Sequence, residues 1–211
     1  MKIAVSFLKS DNYKKCIEKI NASKADYIHV DMCDGKYVEE KNFVLSDLLK
    51  TLKVASKPLD VHMMVASPLK YIDSFAFYDT EYITIHLNSC KDLNEVIDYI
   101  SSIGIKVGIA INPDEEISLL EPYLDKIDKV LIMSVVPGKG GQQFMESVIS
   151  KIDELNELKD KYHFITSIDG GINDETIKLI NDKNIDLVVS GSYITNQEDY
   201  NEAIKELKKQ V

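Results

Sequence analysis

The stretch FITSIDGGINDETIKLINDKNIDLVVSGS (164–192) decides the fold. It opens on an apolar run, FITSID (164–169), and turns through the paired glycines Gly170 and Gly171. Asn173 is placed to cap a helix, Ile177 and Ile180 mark that helix's apolar stripe, and a second apolar run, DLVVSG (186–191), follows. Near-continuous runs of Val and Ile, rather than strict alternation, are the pattern of parallel strands buried on both faces. One such strand–helix–strand unit predicts a crossover between neighbouring parallel strands.

Worked outward, the same unit fills the chain. Strands are predicted at IAVSF (3–7), YIHVD (27–31), LDVHMM (59–64), YITIHL (82–87), KVGIAI (106–111) and VLIMSV (130–135), besides the two already named. Between and after them run apolar stripes at helical spacing: Tyr13, Cys16, Ile17 and Ile20; Leu45, Leu48, Leu49 and Leu52; Leu69, Ile72, Phe75 and Ala76; Leu93, Val96, Ile97 and Ile100; Ile117, Leu120 and Leu124; Ile149, Ile152 and Leu155; Tyr200, Ala203, Ile204 and Leu207. Ser67-Pro68 reads as an N-cap followed by proline at the first helical position, and Gly104 stands where a helix should stop. Eight strands alternating with eight helices predict an α/β fold: a single (β/α)8 TIM barrel, one domain over 1–211. The open dinucleotide-binding sheet is disfavoured because no GxGxxG follows the first strand.

Composition narrows the partners. The chain has 211 residues, 45% hydrophobic and 28% charged, with a net charge of −10. Nucleic-acid binding needs a basic footprint and is disfavoured. An anionic ligand must instead be held locally, by backbone N–H groups, a metal or a few lysines. No apolar run reaches membrane-spanning length, and the apolar start of MKIAVSFLKSD is too short for a signal peptide, so a cytoplasmic protein is expected. Three cysteines without regular spacing (Cys16, Cys33 and Cys90) argue against a disulfide framework.

In a (β/α)8 barrel, chemistry sits at the C-terminal ends of the strands. Here those ends carry Ser6; His29-Val30-Asp31 followed by Met32-Cys33-Asp34-Gly35; His62-Met63-Met64; His86; Asn112-Pro113; Met133-Ser134 with PGKGGQ (137–142); Asp169-Gly170-Gly171; and Gly191-Ser192. Three of the four histidines fall on this rim. His29 and Asp31, two apart, point the same way. Pointing inward, they meet His62 and Asp169 in a mixed N/O set suited to one divalent metal ion: Zn²⁺, Fe²⁺, Mn²⁺ or Co²⁺. Gly138, Gly140, Gly141, Gly170, Gly171 and Gly191 follow strands 6 to 8; single glycines would serve tight βα turns, but pairs in neighbouring loops favour a phosphate site of the kind barrels form after strands 7 and 8. Met64 and Met133 are either core filler or an apolar cover over reacting atoms.

SFL (6–8), HVDMCDG (29–35), PLDVHMMV (58–65), NP (112–113), LIMSVVPGKGGQQF (131–144), IDGGIN (168–173) and VVSGSYI (188–194) together resemble the ribulose-phosphate 3-epimerase family, in order and over essentially the whole chain. The resemblance implies a metal-dependent isomerase inverting C3 of a ketose phosphate through an enediolate, foremost D-ribulose 5-phosphate to D-xylulose 5-phosphate in pentose phosphate metabolism. It implies His29, Asp31, His62 and Asp169 as metal ligands, with Asp31 and Asp169 also the acid–base pair. Ser6, His62, Met64 and Met133 would contact substrate. Gly138, Gly140, Gly141, Gly170, Gly171, Gly191 and Ser192 would form the phosphate loops, and the chain would form a homo-oligomer. The pattern departs at Val5, where proline is usual, at Cys33, where methionine is usual, at 36–42, at Val136 and at Lys139, which stands in place of an aromatic residue. The rivals are an allulose 6-phosphate 3-epimerase and a non-catalytic phosphate-binding barrel. Barrel decarboxylases and hexulose-phosphate synthases carry DxKxxD, and Asp31-Met32-Cys33-Asp34 lacks its lysine.

Overall fold

The computed structural model describes residues 1–209; the last two residues of the expected domain lie outside the described residues. Eight parallel strands close a barrel in chain order: β1 (Lys2–Ser6), β2 (Tyr27–Cys33), β3 (Leu59–Met64), β4 (Thr80–His86), β5 (Lys106–Ile111), β6 (Lys129–Met133), β7 (Ile165–Asp169) and β8 (Leu187–Ser190), with β8 pairing back on β1. This is the expected fold, with β3 and β5 bounded as read and the others shifted by one or two residues.

Alternation along each strand sorts the side chains into two populations. Ile3, Val5, Ile28, Val30, Met32, Val61, Met63, Ile83, Ile85, Val107, Ile109, Val130, Ile132, Ile168 and Val188 face outward into one large core shared with the helices. The inward positions form two small apolar clusters, Ala4–Tyr27–Tyr82–Leu187–Val189 and Ala110–Leu131–Met133–Val135. The interior also carries buried polar groups: His29, Asp60, His62, Thr84, His86, Lys129 and Ser167. A barrel interior is normally filled by branched apolar residues, so this polar column is where the fold gives up packing for chemistry.

The outer layer departs from the expected eight α-helices. α1 (Tyr13–Ala22), α2 (Leu45–Leu52), α3 (Leu93–Ser102), α4 (Ile149–Leu158), the short α5 (Ser192–Thr195) and α6 (Tyr200–Lys209) are α-helical. After β3, β5 and β7 the chain winds as 3-10 helix instead, at Pro68–Lys70 and Ile72–Phe75, at Ile117–Lys126 and at Thr176–Leu179. The reason lies in spacing and in proline. Leu69, Ile72 and Phe75, like Ile177 and Ile180, step by three, which aligns them at three residues per turn. Pro122 lies inside the segment after β5 and cannot donate to an i−4 carbonyl.

The expected caps divide in the same way. Asn173 Oδ1 accepts from the N–H groups of Glu175 and Thr176. Gly104 N–H bonds Ser101 O where α3 stops. Ser67 makes no side-chain cap bond, whereas Asp92, at the start of α3, accepts from Glu95 N–H at 3.0 Å. Among the described residues no helix is long and apolar enough to cross a membrane. Asp92→Ala is expected to lower unfolding stability by about 1 kcal/mol in urea titration, and Ser67→Ala to change it by less than about 0.5 kcal/mol.

Candidate active site

Parallel register delivers the site. β2 and β3 pair so that His29 lies beside Asp60, Asp31 beside His62, and Cys33 beside Met64; β6 and β7 pair Met133 with Asp169. All of these point inward, at successive heights up the barrel. His29, Asp31, His62 and Asp169 converge: one ligand atom from each lies within 4.8 Å of all the others. His29 Nε2 lies 3.4 Å from Asp31 Oδ1 and 3.6 Å from Asp169 Oδ2. His62 Nδ1 repeats those separations from the same two oxygens.

The far side of each ligand is anchored. His29 Nδ1 meets Asp60 Oδ2 at 2.9 Å, and His62 Nε2 meets His86 Nε2 at 2.8 Å. Ser6 Oγ donates to Asp31 Oδ2 at 2.6 Å. Ser134 Oγ donates to the Asp169 and Gly170 carbonyls, which pins the end of β7. Asn42 spans the β2 end, accepting from Cys33 N–H and donating to the Asp31 carbonyl. With these bonds made, His29 Nε2 and His62 Nδ1 remain buried without a hydrogen-bond partner, facing two carboxylates. Two unpartnered imidazole nitrogens and two carboxylates on a common centre fit one divalent ion.

Electrostatics points the same way. Burial alone would push the histidines' pKa values down, but the Asp31 and Asp169 carboxylates outweigh it and hold both above the usual imidazole range, His29 well above. Burial alone would likewise raise Asp31 and Asp169, and the two imidazoles outweigh it and hold both below the usual carboxylate range. The carboxylates thus call for positive charge at this centre. His86, the third rim histidine, is not part of the ligand group. Burial and the neighbouring His62 keep its pKa well below the usual value, and it stacks on His62 at 5.0 Å between ring centroids.

Above the group opens a cavity of about 670 Å³. Ser6, Asp31, Met64, Met133, Gly138, Gly140, Gly141, Asp169, Gly170, Gly171, Gly191 and Ser192 all line it, and His62 lies beneath in the ligand group. Met64 and Met133 are each only 2% exposed, so they cover the floor rather than the mouth. Cys33 sits beside Met64, with burial pushing its thiol up to about 12. Lys9 and Lys139 line the wall near Gly140.

Several supporting residues escaped the sequence reading. Asp60 lies within PLDVHMMV (58–65) but is given no role there, Lys129 belongs to no motif, and Asn42 lies in the divergent segment 36–42. Lys9, from the loop after β1, and Tyr193 and Asn196, from α5 and its C-terminal end, line the cavity in an approach that only the closed barrel reveals.

The glycine loops are close-packed. A Cβ on Gly170 would fall 2.6 Å from Val135 Cγ2, and one on Gly171 would fall 2.7 Å from the Phe144 backbone N, at a φ of 64° that L side chains rarely adopt. Gly171→Ala is therefore expected to cost about 1–3 kcal/mol in thermal or chemical unfolding.

Comparison with known proteins places this geometry in a family. The model of the ribulose-phosphate 3 epimerase family matches residues 2–195. The ribulose-phosphate 3-epimerase of Bacillus subtilis (strain 168) is 35% identical, covering 99% of this chain and 98% of that protein. That of Helicobacter pylori (strain J99) is 36% identical, covering 99% and 97%. Among solved structures, KGPDC from Streptococcus mutans superposes with a TM-score of 0.74 at 14% identity, covering 99% of this chain and 96% of that one, a likeness of fold alone. On the family match, and on near-full-length identity to these relatives, the chain belongs to the ribulose-phosphate 3-epimerase family.

Proposed function

We propose that this chain inverts C3 of D-ribulose 5-phosphate to give D-xylulose 5-phosphate, with one divalent ion held by His29, Asp31, His62 and Asp169. The observation that carries the reading is the pair of unpartnered nitrogens, His29 Nε2 and His62 Nδ1, facing the two carboxylates at the cavity floor. A bound ion would supply Lewis-acid stabilisation to the negative charge that develops on the substrate's C2 oxygen.

The proton chemistry belongs to Asp31 and Asp169. They stand on β2 and β7, three steps apart around the ring, and both reach the cavity. Each spends one oxygen toward the histidine pair. Asp31's other oxygen is held by Ser6, and Asp169, with 17% of its side chain exposed, extends further into the cavity. One carboxylate removes the C3 proton to form the enediolate, and the other delivers a proton to the opposite face. The Ser6 hydrogen bond sets the position of Asp31 before substrate arrives.

The remaining contacts suit a phosphorylated sugar. Gly138, Gly140, Gly141, Gly170, Gly171, Gly191 and Ser192 all line the cavity, where glycine lets backbone N–H groups approach a phosphate closely. Among the described residues, Lys9 and Lys139 are the cationic side chains lining it, and they offset locally a chain charge of −10. Met64 and Met133 cover the reacting carbons with apolar surface. The same reading takes the barrel as the single domain, the active form as a homo-oligomer and the compartment as the cytoplasm. The acidic excess sets nucleic acid aside as a partner.

The test is proton NMR in D2O with D-ribulose 5-phosphate, and in a separate tube D-allulose 6-phosphate, using metal-loaded protein. Early in the reaction the epimer should carry deuterium at C3 while the remaining ribulose 5-phosphate stays protiated, as two separate carboxylates require. Chelator treatment, and Asp31→Asn or Asp169→Asn, should each abolish turnover, by at least about 10²-fold. Faster exchange of the hexulose phosphate would move the substrate assignment, and no exchange of either sugar by folded, metal-loaded protein would overturn the reading.

A further inference from the structure

Beneath the ligand group lies a lysine that the proton chemistry does not use. Lys129 opens β6 and is fully buried inside the barrel, where its ammonium bonds Asp60 Oδ1. Asp60, also fully buried, offers its other oxygen to His29 Nδ1 at 2.9 Å. At the opposite edge of the same ring, His29 Nε2 is the unpartnered nitrogen facing Asp31 and Asp169. Lys129, Asp60 and His29 therefore form one column ending at the ligand centre.

The barrel makes room for this lysine. β5 carries Gly108 at that height, and a Cβ there would fall 3.0 Å from Lys129 Cε and 2.5 Å from Thr84 Oγ1. The Tyr82 ring lies 4.8 Å from the ammonium and covers it. Fold stability alone does not explain such a pair, because apolar residues of similar volume generally serve as well or better in a dry interior. The charges explain it. Asp31, Asp169 and Asp60 are three carboxylates in or beside one small volume, and a divalent cation with one ammonium balances them.

We propose that Lys129 is a positioning residue for the metal site. It fixes the rotation of Asp60, and Asp60 in turn holds His29 as the Nδ1–H tautomer, with the Nε2 lone pair aimed at the ion. A carboxylate behind a ligating imidazole is a common way to orient the ring and raise its basicity. The added element here is a buried cation that orients the carboxylate. The inference rests on the ligand assignment made under the proposed function.

The test measures Zn²⁺ affinity of chelator-stripped protein by competition with a chromophoric chelator, and the visible absorption of the Co²⁺-loaded form. Wild type, Lys129→Met, Asp60→Asn and the double variant are compared. Lys129→Met should weaken Zn²⁺ binding by about 10–100-fold and alter the Co²⁺ bands, with far-ultraviolet circular dichroism unchanged. The double variant should bind no more weakly than the weaker single variant, because both act through His29.

Zn²⁺ affinity and Co²⁺ bands of Lys129→Met equal to wild type would overturn the inference, as would losses that multiply in the double variant. If Lys129→Met does not fold, Lys129→Gln, which keeps a donor toward Asp60 without its charge, takes its place. It should bind Zn²⁺ less tightly than wild type, and equal affinity overturns the inference. Wild-type protein that binds neither ion would instead bring down the ligand assignment, and this inference with it.

Discussion

Two carboxylates and two imidazoles share a space 4.8 Å across, almost entirely out of water, and the rest of the molecule is arranged around that crowding. Asp31 and Asp169 repel one another in a medium that screens poorly. Each is relieved by an imidazole edge, and Asp31 also by the Ser6 hydroxyl. Without a cation between them, the histidines must carry the balancing charge as protons, which is the direction in which their pKa values move. With a cation the same nitrogens become donors to it. The site is therefore built for positive charge in one form or another, and substrate oxygens approaching from the cavity would meet that charge.

A parallel barrel is well suited to build such a centre. The pleat sends every second residue inward, so His29 and Asp31 stack one above the other, and in-register pairing sets Asp60 and His62 on the neighbouring strand at the same two heights. β7 adds Asp169 from three strands away around the ring. No loop has to fold correctly to bring the four together. The loops instead shape the cavity mouth, where Gly170 and Gly171 approach Val135 and Phe144 too closely for any side chain.

The strand-borne part of this was legible in the sequence because it follows a two-residue rule. Once eight apolar runs are recognised, His29, Asp31, His62 and Asp169 fall on one rim by counting. The helical layer was less legible, because a stripe such as Ile177 and Ile180 reads alike for α and 3-10 winding. Lys129 was hidden for a different reason. It opens β6 directly after Asp128, where a lysine ordinarily belongs to a solvated strand end, and only barrel closure turns it inward onto Asp60. Nothing local announces a partner sixty-nine positions away. Asn42 was obscured by the unfamiliar segment around it, although its side chain ties the Asp31 carbonyl to the Cys33 amide.

Three of the departures from the family pattern, which look scattered along the chain, meet in space. Val38 packs against Gly138, where an added Cβ would fall 2.9 Å from the valine's own. Cys33 Sγ lies 3.8 Å from the Gly138 carbonyl, and Lys139 Nζ lies 3.9 Å from Glu39. The loops after β2 and β6 thus touch each other at the positions that differ. The cysteine at 33, Val38 and Glu39 meet Gly138 and Lys139, two residues that line the cavity. The four residues that could hold a metal ion lie apart from this contact, on β2, β3 and β7. The departures at 33, 36–42 and 139 therefore share one contact between the loops after β2 and β6, while His29, Asp31, His62 and Asp169 converge from the strands themselves.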